Sequence, residues 1–195
     1  MKIAVCGTQC VGKSTLIDDM LAQMPEFKKP TFTYRDAIKN AGLTDKINRK
    51  TCTDSQRIIF NAVVKEIQES TPYTIHDRSV LDAVAYTEWP TRYDQEDTDI
   101  SKSDVRKMKK AACEYMELYD LIIYIPIDES IDLKSDDLRD VNPEYRRQMA
   151  KIMDSLYLPV FESIQFDKYG YKVLTVSGSR EERLTAIKEQ INAIT

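Results

Sequence analysis

The sequence predicts an α/β fold in which five parallel strands are covered on both faces by helices. Three observations predict it. Short apolar runs alternate with segments of helical apolar period, a glycine-containing turn at residues 7–14 joins the first run to the first helical pattern, and polar residues able to do chemistry follow several of the runs. In such sheets ligands bind beyond the C-terminal strand ends, so those positions carry the functional weight.

Taken in order, Lys2-Ile3-Ala4-Val5-Cys6 reads as a short buried strand, followed by a helix from about Lys13 to Met24 that Pro25 stops. Thr31-Phe32-Thr33-Tyr34 is expected as the second strand, with Arg35 and Asp36 at its end. A long helix should run from Asp54, its expected N-cap, to Glu69, with Ile58, Ile59, Ala62, Val63 and Ile67 as its apolar face. Tyr73-Thr74-Ile75-His76 reads as a third strand ending at Asp77-Arg78, and Leu81, Val84 and Ala85 mark the next helix. Trp89 to Ser103 is polar, acidic and loop-like, and a helix of mixed charge then reaches Tyr119. Leu121 to Ile127 is the clearest buried strand, and Asp128 to Asn142 is polar and charged. Pro143 opens a helix to about Phe166, Lys172 to Val176 forms the last strand, and Glu181 to Ile194 a closing helix.

A chain of 195 residues is expected to form one domain over 1–195, with a lid segment at about 128–147. The net charge of −4 provides no general field for nucleic acid or anionic lipid. The longest apolar run, Leu121 to Ile127, is too short to span a bilayer, and no leader precedes the first strand; a cytoplasmic protein is expected. Cys6, Cys10, Cys52 and Cys113 make no C-x-x-C pair, and the single His76 rules out a multi-histidine metal site. Reduced thiols are the expectation; Cys10, inside the glycine turn, is the one whose modification would block a ligand there.

Gly7-Thr8-Gln9-Cys10-Val11-Gly12-Lys13-Ser14 has the spacing of a phosphate-cradling loop. Its glycines let backbone N–H groups turn inward around phosphates, and the following helix N-terminus adds partial positive charge. Lys13 would reach the β- and γ-phosphates of ATP, and the Ser14 hydroxyl would ligate Mg²⁺. Residues Gly7 to Thr15 are therefore the expected triphosphate contacts; an ordinary Gly-containing turn would not require this full spacing.

Asp77-Arg78-Ser79 should face that loop. A carboxylate there can support Mg²⁺ or take a proton from an attacking hydroxyl, and the guanidinium can grip an acceptor phosphate. In isolation a capping Asp beside a surface Arg explains the pair; beside a phosphate loop the chemical role is the better account. Asp128 competes with Asp77 for the metal. Asp136-Asp137-Leu138-Arg139-Asp140 with Arg146 and Arg147 could fold over a triphosphate, Arg139 and Arg146 neutralising charge on the transferring group. A solvated charged loop is the plainer account of that run. Arg35 is a candidate for an acceptor phosphate and Gln56 for a base edge. Lys107, Lys109 and Lys110 read as a solvated face.

Together these residues resemble the P-loop kinases of nucleosides and nucleotides. Asp77-Arg78-Ser79 is similar to the strand-end acidic-Arg motif of thymidylate and deoxynucleoside kinases. Overall the chain resembles a phage-type AAA ATPase/kinase group that includes the ribosylnicotinamide kinase domain of a bifunctional NAD-synthesis regulator. The features in order are Gly7 to Thr15, Arg35, Gln56, Asp77-Arg78-Ser79 with Asp82 and Tyr86, Tyr119 to Ile125, Asp137 to Arg139, then Arg146. The resemblance implies a three-layer P-loop NTPase fold with strand order 2-3-1-4-5 and ATP as donor. It also implies Asp82 and Tyr86 on the acceptor side, Arg147 near the donor, and Gly178 to Arg183 as part of the adenine-side wall.

Two positions depart from the pattern. Leu138 stands where a Gly is common in the lid motif, and Tyr34-Arg35 stands where nucleoside kinases usually carry a Glu as hydroxyl base. A phosphate monoester is already an anionic nucleophile and calls for cations. Arg35 with Arg78 therefore points to a (deoxy)nucleoside monophosphate as acceptor. Asp36 or Asp77 could still serve as base, which keeps a nucleoside, ribosylnicotinamide or a hydroxyl on DNA, including a modified base, as alternatives. A nucleic-acid acceptor would need a local basic groove against the overall acidity. A nucleotide-dependent switch that transfers nothing is the rival of another class, and a homodimer stays open.

Overall fold

The computed structural model describes residues 1–127, 142–157 and 172–194. At its centre lie four parallel strands, β1 (Lys2–Cys6), β2 (Thr74–Asp77), β3 (Leu121–Tyr124) and β4 (Lys172–Thr175), ordered β2-β1-β3-β4. Val5 pairs with Asp77 and Cys6 with Tyr124, so β1, β2 and β3 end at one level. That common edge is where the site forms.

Period-two alternation sends the two faces of the sheet to different cores. Ile3 and Val5 pack with α1 (Lys13–Gln23) and the last helix, α7 (Arg180–Ile194). Ala4 and Cys6 face the larger cluster formed with α3 (Thr53–Glu69), α4 (Val80–Tyr93), α5 (Lys102–Met116) and α6 (Pro143–Tyr157). All of the β1 apolar side chains from Ile3 to Cys6 are fully buried, as the central strand of a doubly covered sheet requires. Among the described residues no helix is long and apolar enough to cross a membrane.

The strand expected at Thr31–Tyr34 is absent. Tyr34 instead opens α2 (Tyr34–Asn40), with Thr33 as its N-cap. Thr33 N and Oγ1 each donate to Asp36 Oδ2 at 2.8 Å, and these bonds hold the Asp36 carboxyl below its ordinary pKa. Thr-x-x-Asp is a capping signature, and it outweighs the β-propensity of four residues while Pro30 removes a ladder donor. What remains of the fifth strand is one parallel bridge, in which Lys28 N donates to Tyr73 O and Ile75 N to Lys28 O, both at 2.9 Å. The four strands present keep the 3-1-4-5 part of the expected order; the five-stranded sheet does not form among the described residues.

Other boundaries also move. α3 starts one residue before Asp54, capped by Cys52, whose N–H donates to Ser55 Oγ at 3.0 Å. Trp89 belongs to α4 rather than to a loop. Its ring meets Tyr145 edge-on at 4.7 Å and its Nε1 donates to Gln148 Oε1 at 2.9 Å, so burial against α6 carries the helix past Pro90 to Tyr93. The helix expected to reach Phe166 is described to Tyr157. Of the expected lid, only residues from 142 onward are described; Asp128, Asp136, Asp137, Leu138, Arg139 and Asp140 lie outside the described residues.

Candidate active site

The loop between β1 and α1 turns through three left-handed positions, Gly7 (φ 139°), Cys10 (φ 61°) and Gly12 (φ 90°). Gly7 admits no side chain: a Cβ would stand 2.5 Å from the carbonyl oxygen of Ile125, just past β3. The loop backbone is thus pressed against the sheet edge, and a phosphate cradle needs this close approach. Lys13 Nζ donates to Gly7 O at 2.8 Å and Thr8 O at 2.5 Å, closing the loop on itself. Burial lowers the Lys13 pKa to about 8, with Arg78 adding to the effect and Asp77 and Asp82 opposing it. From α7, Arg183 donates to Val11 O at 3.1 Å and to Gly178 O at 2.9 Å, bracing the loop from behind.

Against this loop lies a cavity of about 330 Å³. One wall is Gln9, Cys10 and Gly12 to Thr15; the other is Tyr34, Arg35 and Ile38 of α2, Gln56 and Ile59 of α3, Tyr86 of α4, and Arg78. Gln56 is buried, with Nε2 donating to Thr51 Oγ1; its Oε1 lies 3.3 Å from Thr87 Oγ1, whose one proton has a nearer acceptor in Ala83 O at 2.7 Å.

Arg78 follows β2 in a left-handed conformation (φ 103°), its N–H donating to Val5 O at 3.1 Å. The guanidinium lies over two rings, 4.6 Å from the Tyr34 centroid and 4.5 Å from that of Tyr86. Burial works against its charge, but Tyr34, Tyr86, Asp82 and Asp77 outweigh it and raise the pKa above the usual arginine value. Tyr86 in turn is pushed up to about 12 by burial, although Arg78 pulls the other way. Both rings lie within cation–π distance of the guanidinium, and Nη2 also donates to Tyr86 Oη at 3.5 Å, an arrangement that holds its charge beside the cavity.

Asp77 lines an adjoining cavity of about 150 Å³ that shares Ser14, Tyr34 and Arg35 with the first. Its Oδ2 lies 3.6 Å from Arg35 Nη2, and its Oδ1 is buried without a hydrogen-bond partner among the described residues. Ser14 and Asp77 thus bring a hydroxyl and a carboxylate to one small space, a donor set of the kind a hard divalent cation takes together with water and substrate phosphate. Among the described residues no group of three or more His, Cys, Asp or Glu forms a self-sufficient metal cage.

The remaining predicted residues fall elsewhere. Asp82 is fully buried and lines neither cavity; it accepts from Ser79 N at 3.0 Å and Gly7 N at 3.5 Å, behind the phosphate loop. Arg146 is buried in α6 with Nε and Nη2 lacking hydrogen-bond partners among the described residues. Arg147 is exposed and donates to Glu144 Oε2 at 3.2 Å. Gly178 (φ 83°) precedes the α7 cap, where Ser179 N donates to Glu182 Oε2 at 2.8 Å. Sequence reasoning overlooked Tyr34 as a partner of Arg78, and the wall formed by Ile38, Thr44, Ile47 and Asn48. The Thr33-Asp36 capping spacing was the signal that could have placed them.

The family profile described as an AAA domain matches residues 2–183, and the chain belongs to that family. No curated protein matches. Among solved structures, a deoxyadenosine kinase from M. mycoides with products dCMP and a flexible dCDP bound superposes with a TM-score of 0.70 at 17% identity, covering 100% of both chains. A thymidylate kinase from Candida albicans gives 0.66 at 14% identity, covering 98% of this chain and 91% of that one. The NadR protein in complex with NR gives 0.64 at 14% identity over 96% of this chain and 50% of its own. The fold is that of P-loop nucleoside and nucleotide kinases, as the sequence resemblance implied.

Proposed function

We propose that the chain is an ATP- and Mg²⁺-dependent kinase whose acceptor is a (deoxy)nucleoside monophosphate. The observation that carries this reading is the single cavity of about 330 Å³ with the phosphate loop on one wall and Arg35, Arg78, Gln56 and Tyr86 on the other. Two cationic side chains beside a polar amide suit a base-bearing ligand with an anionic end. The fold shared with a deoxyadenosine kinase and a thymidylate kinase supports the same class.

The loop N–H groups and Lys13 hold the donor phosphates. Binding a triphosphate would draw Lys13 Nζ from the loop carbonyls and favour its charged form. Ser14 and Asp77 are the residues that would hold Mg²⁺, which supplies charge neutralisation on the phosphates when bound. Arg78, packed against two rings, and Arg35 orient the acceptor phosphate toward the donor. Catalysis on this account rests on positioning and electrostatics rather than on a covalent step with the protein.

One observation favours a second acceptor, a nucleoside hydroxyl. Asp77 Oδ1 has no hydrogen-bond partner among the described residues, and its carboxylate partly offsets the charge of Arg35, so it could accept a hydroxyl proton. ATP labelled on its γ-phosphate, offered with separate pools of monophosphates, nucleosides, ribosylnicotinamide and DNA, decides between them. Label on monophosphates supports the main reading, and label on nucleosides the second. ATP binding with no acceptor-dependent turnover would leave a nucleotide-dependent switch.

A further inference from the structure

A buried polar cluster behind the phosphate loop joins it to a helix that lines neither cavity. Tyr157, the last described residue of α6, is fully buried. Its hydroxyl donates to Asp82 Oδ2 at 2.6 Å and lies 2.7 Å from Ser79 Oγ. A phenol has one proton, so with that proton on Asp82 the serine hydroxyl must donate to Tyr157. Ser79 Oγ accepts in turn from Leu81 N at 3.1 Å. Asp82 takes two further donors, Ser79 N at 3.0 Å through the same oxygen and Gly7 N at 3.5 Å through the other. Each of these donors has an acceptor, the carboxylate acts only as acceptor, and the fully buried Cys6 thiol borders Tyr157, Ser79 and Asp82 within the same cluster.

Helix capping alone does not explain the arrangement. A Ser-x-x-Asp box needs Ser79 and Asp82 and nothing more. Here the same carboxylate also reaches the first amide of the phosphate loop, and a tyrosine from another helix fixes its rotation. Asp77 and Arg78 immediately precede Ser79 in the chain. The Tyr157 ring is itself held, stacked on Tyr124 at 4.9 Å and 20°. The Tyr124 hydroxyl donates to Asp154 Oδ1 at 2.6 Å, returning to α6 one turn before Tyr157. The hydroxyl therefore has little freedom to leave Asp82.

Resting on the kinase reading above, we propose that Tyr157 is a positioning residue for phosphoryl transfer, orienting Asp82 so that the Gly7 end of the phosphate loop and the Asp77-Arg78 turn keep a fixed separation. On that reading the donor phosphates would lie against the loop and the acceptor against the turn. An error of about 1 Å between reacting groups can cost a hundredfold in rate, so this separation matters more to turnover than to binding.

The test compares the parent protein with Tyr157→Phe, which keeps the ring stack and removes only the hydroxyl. The expected result is a kcat lower by about 10- to 100-fold with both KM values little changed, at a temperature well below unfolding. The Gly7 amide proton resonance should also shift, because its acceptor has lost a constraint. Asp82→Asn should lower kcat as well, and the double variant should be no worse than Asp82→Asn, since Tyr157 acts through Asp82. A lowered Tm with unchanged kcat and an unmoved Gly7 resonance would overturn the proposal, as would losses that simply multiply. If Tyr157→Phe does not fold, Asp82→Asn, which keeps the side-chain shape and weakens the acceptor of the Tyr157 hydroxyl, is read in the same way: a kcat loss with a moved Gly7 resonance supports the proposal, and a lowered Tm with neither overturns it. Absence of acceptor-dependent turnover in the parent would sink the kinase reading instead. The Gly7 resonance then still reports whether Tyr157 holds the loop, and an unmoved signal would remove that part too.

Discussion

Arg35 Nη2 stands 3.6 Å from Asp77 Oδ2, so two residues from separate parts of the chain share one ion pair at the mouth of the site. Arg35 is more than half exposed, and an ion pair of that kind is worth little to stability. Its value lies in position: the pair borders both cavities through Arg35 and the smaller one through Asp77.

Replacing Arg35 with Ala should therefore leave the Tm nearly unchanged and act on the acceptor. With a monophosphate acceptor, its KM should rise roughly ten- to a hundredfold while the KM for ATP stays put, as expected for losing a charge-assisted hydrogen bond. With a nucleoside acceptor the same change should be small. Steady-state kinetics with both acceptors thus reads the Arg35 role and the acceptor class together.

Asp77→Ala should lower turnover at least about a hundredfold while the fold survives. On the proposed reading the carboxylate would serve metal or acceptor in either version of the reaction, and its ion-pair partner Arg35 is largely solvated. Normal turnover by a folded Asp77→Ala protein would remove Asp77 from the mechanism.

Lys13 gives a pH signature. Its pKa is lowered from 10.5 to about 8, chiefly by burial. Between those values the unfolded chain holds a proton that the folded one lacks, so this group's contribution to stability rises with pH through that window. Below about pH 8 both states are protonated and the cost of burying the charge is felt in full. The Tm difference between the parent and Lys13→Met should move in the parent's favour from pH 8 to pH 10. Calorimetry of ATP binding at pH 8 in buffers of different ionisation enthalpy should show proton uptake in the parent and less in the variant.

Gly7 and Gly12 should differ under substitution. Both have positive φ, but a Cβ at Gly7 meets the Ile125 carbonyl at 2.5 Å, whereas at Gly12 the nearest atom is Arg183 Nη1 at 3.5 Å. Gly12→Ala should cost about 1–2 kcal/mol through backbone strain alone. Gly7→Ala adds a backbone clash, and should cost more and weaken ATP binding. Denaturant melts and ATP titrations of the two variants give the ranking; equal costs would contradict the close packing of the loop on β3.

Much of the candidate site was legible as a cluster because its residues follow strand ends at fixed spacing. The phosphate loop states its own geometry, since each glycine sits where a left-handed backbone is needed and Lys13 follows at the helix start. Asp77 and Arg78 stand at the end of an apolar run. Asp82 and Tyr86 were equally visible, but their partners were not: whether a carboxylate faces a ligand or a backbone amide depends on what packs behind it. Asp82 proved to be fully enclosed, and Tyr86 to be one of the two rings against Arg78.

The sequence by itself determined most of the alternation of strands and helices, the glycine turn before α1 and the placing of candidate residues at strand ends, because periodicity and turn geometry are local properties. Tertiary structure decided the rest. Thr33-Asp36 capping and a single bridge at Lys28 replaced the expected second strand, since strand pairing depends on a neighbour that local propensity does not supply. Packing of Trp89 on Tyr145 carried α4 through a stretch that composition marked as loop. The packing of Arg78 against Tyr34 and Tyr86, and the joining of Tyr157 to Asp82 and Asp82 to Gly7, link residues separated by as many as 75 positions. Such contacts are fixed only when the sheet brings its strand ends to one level and the helices close over them.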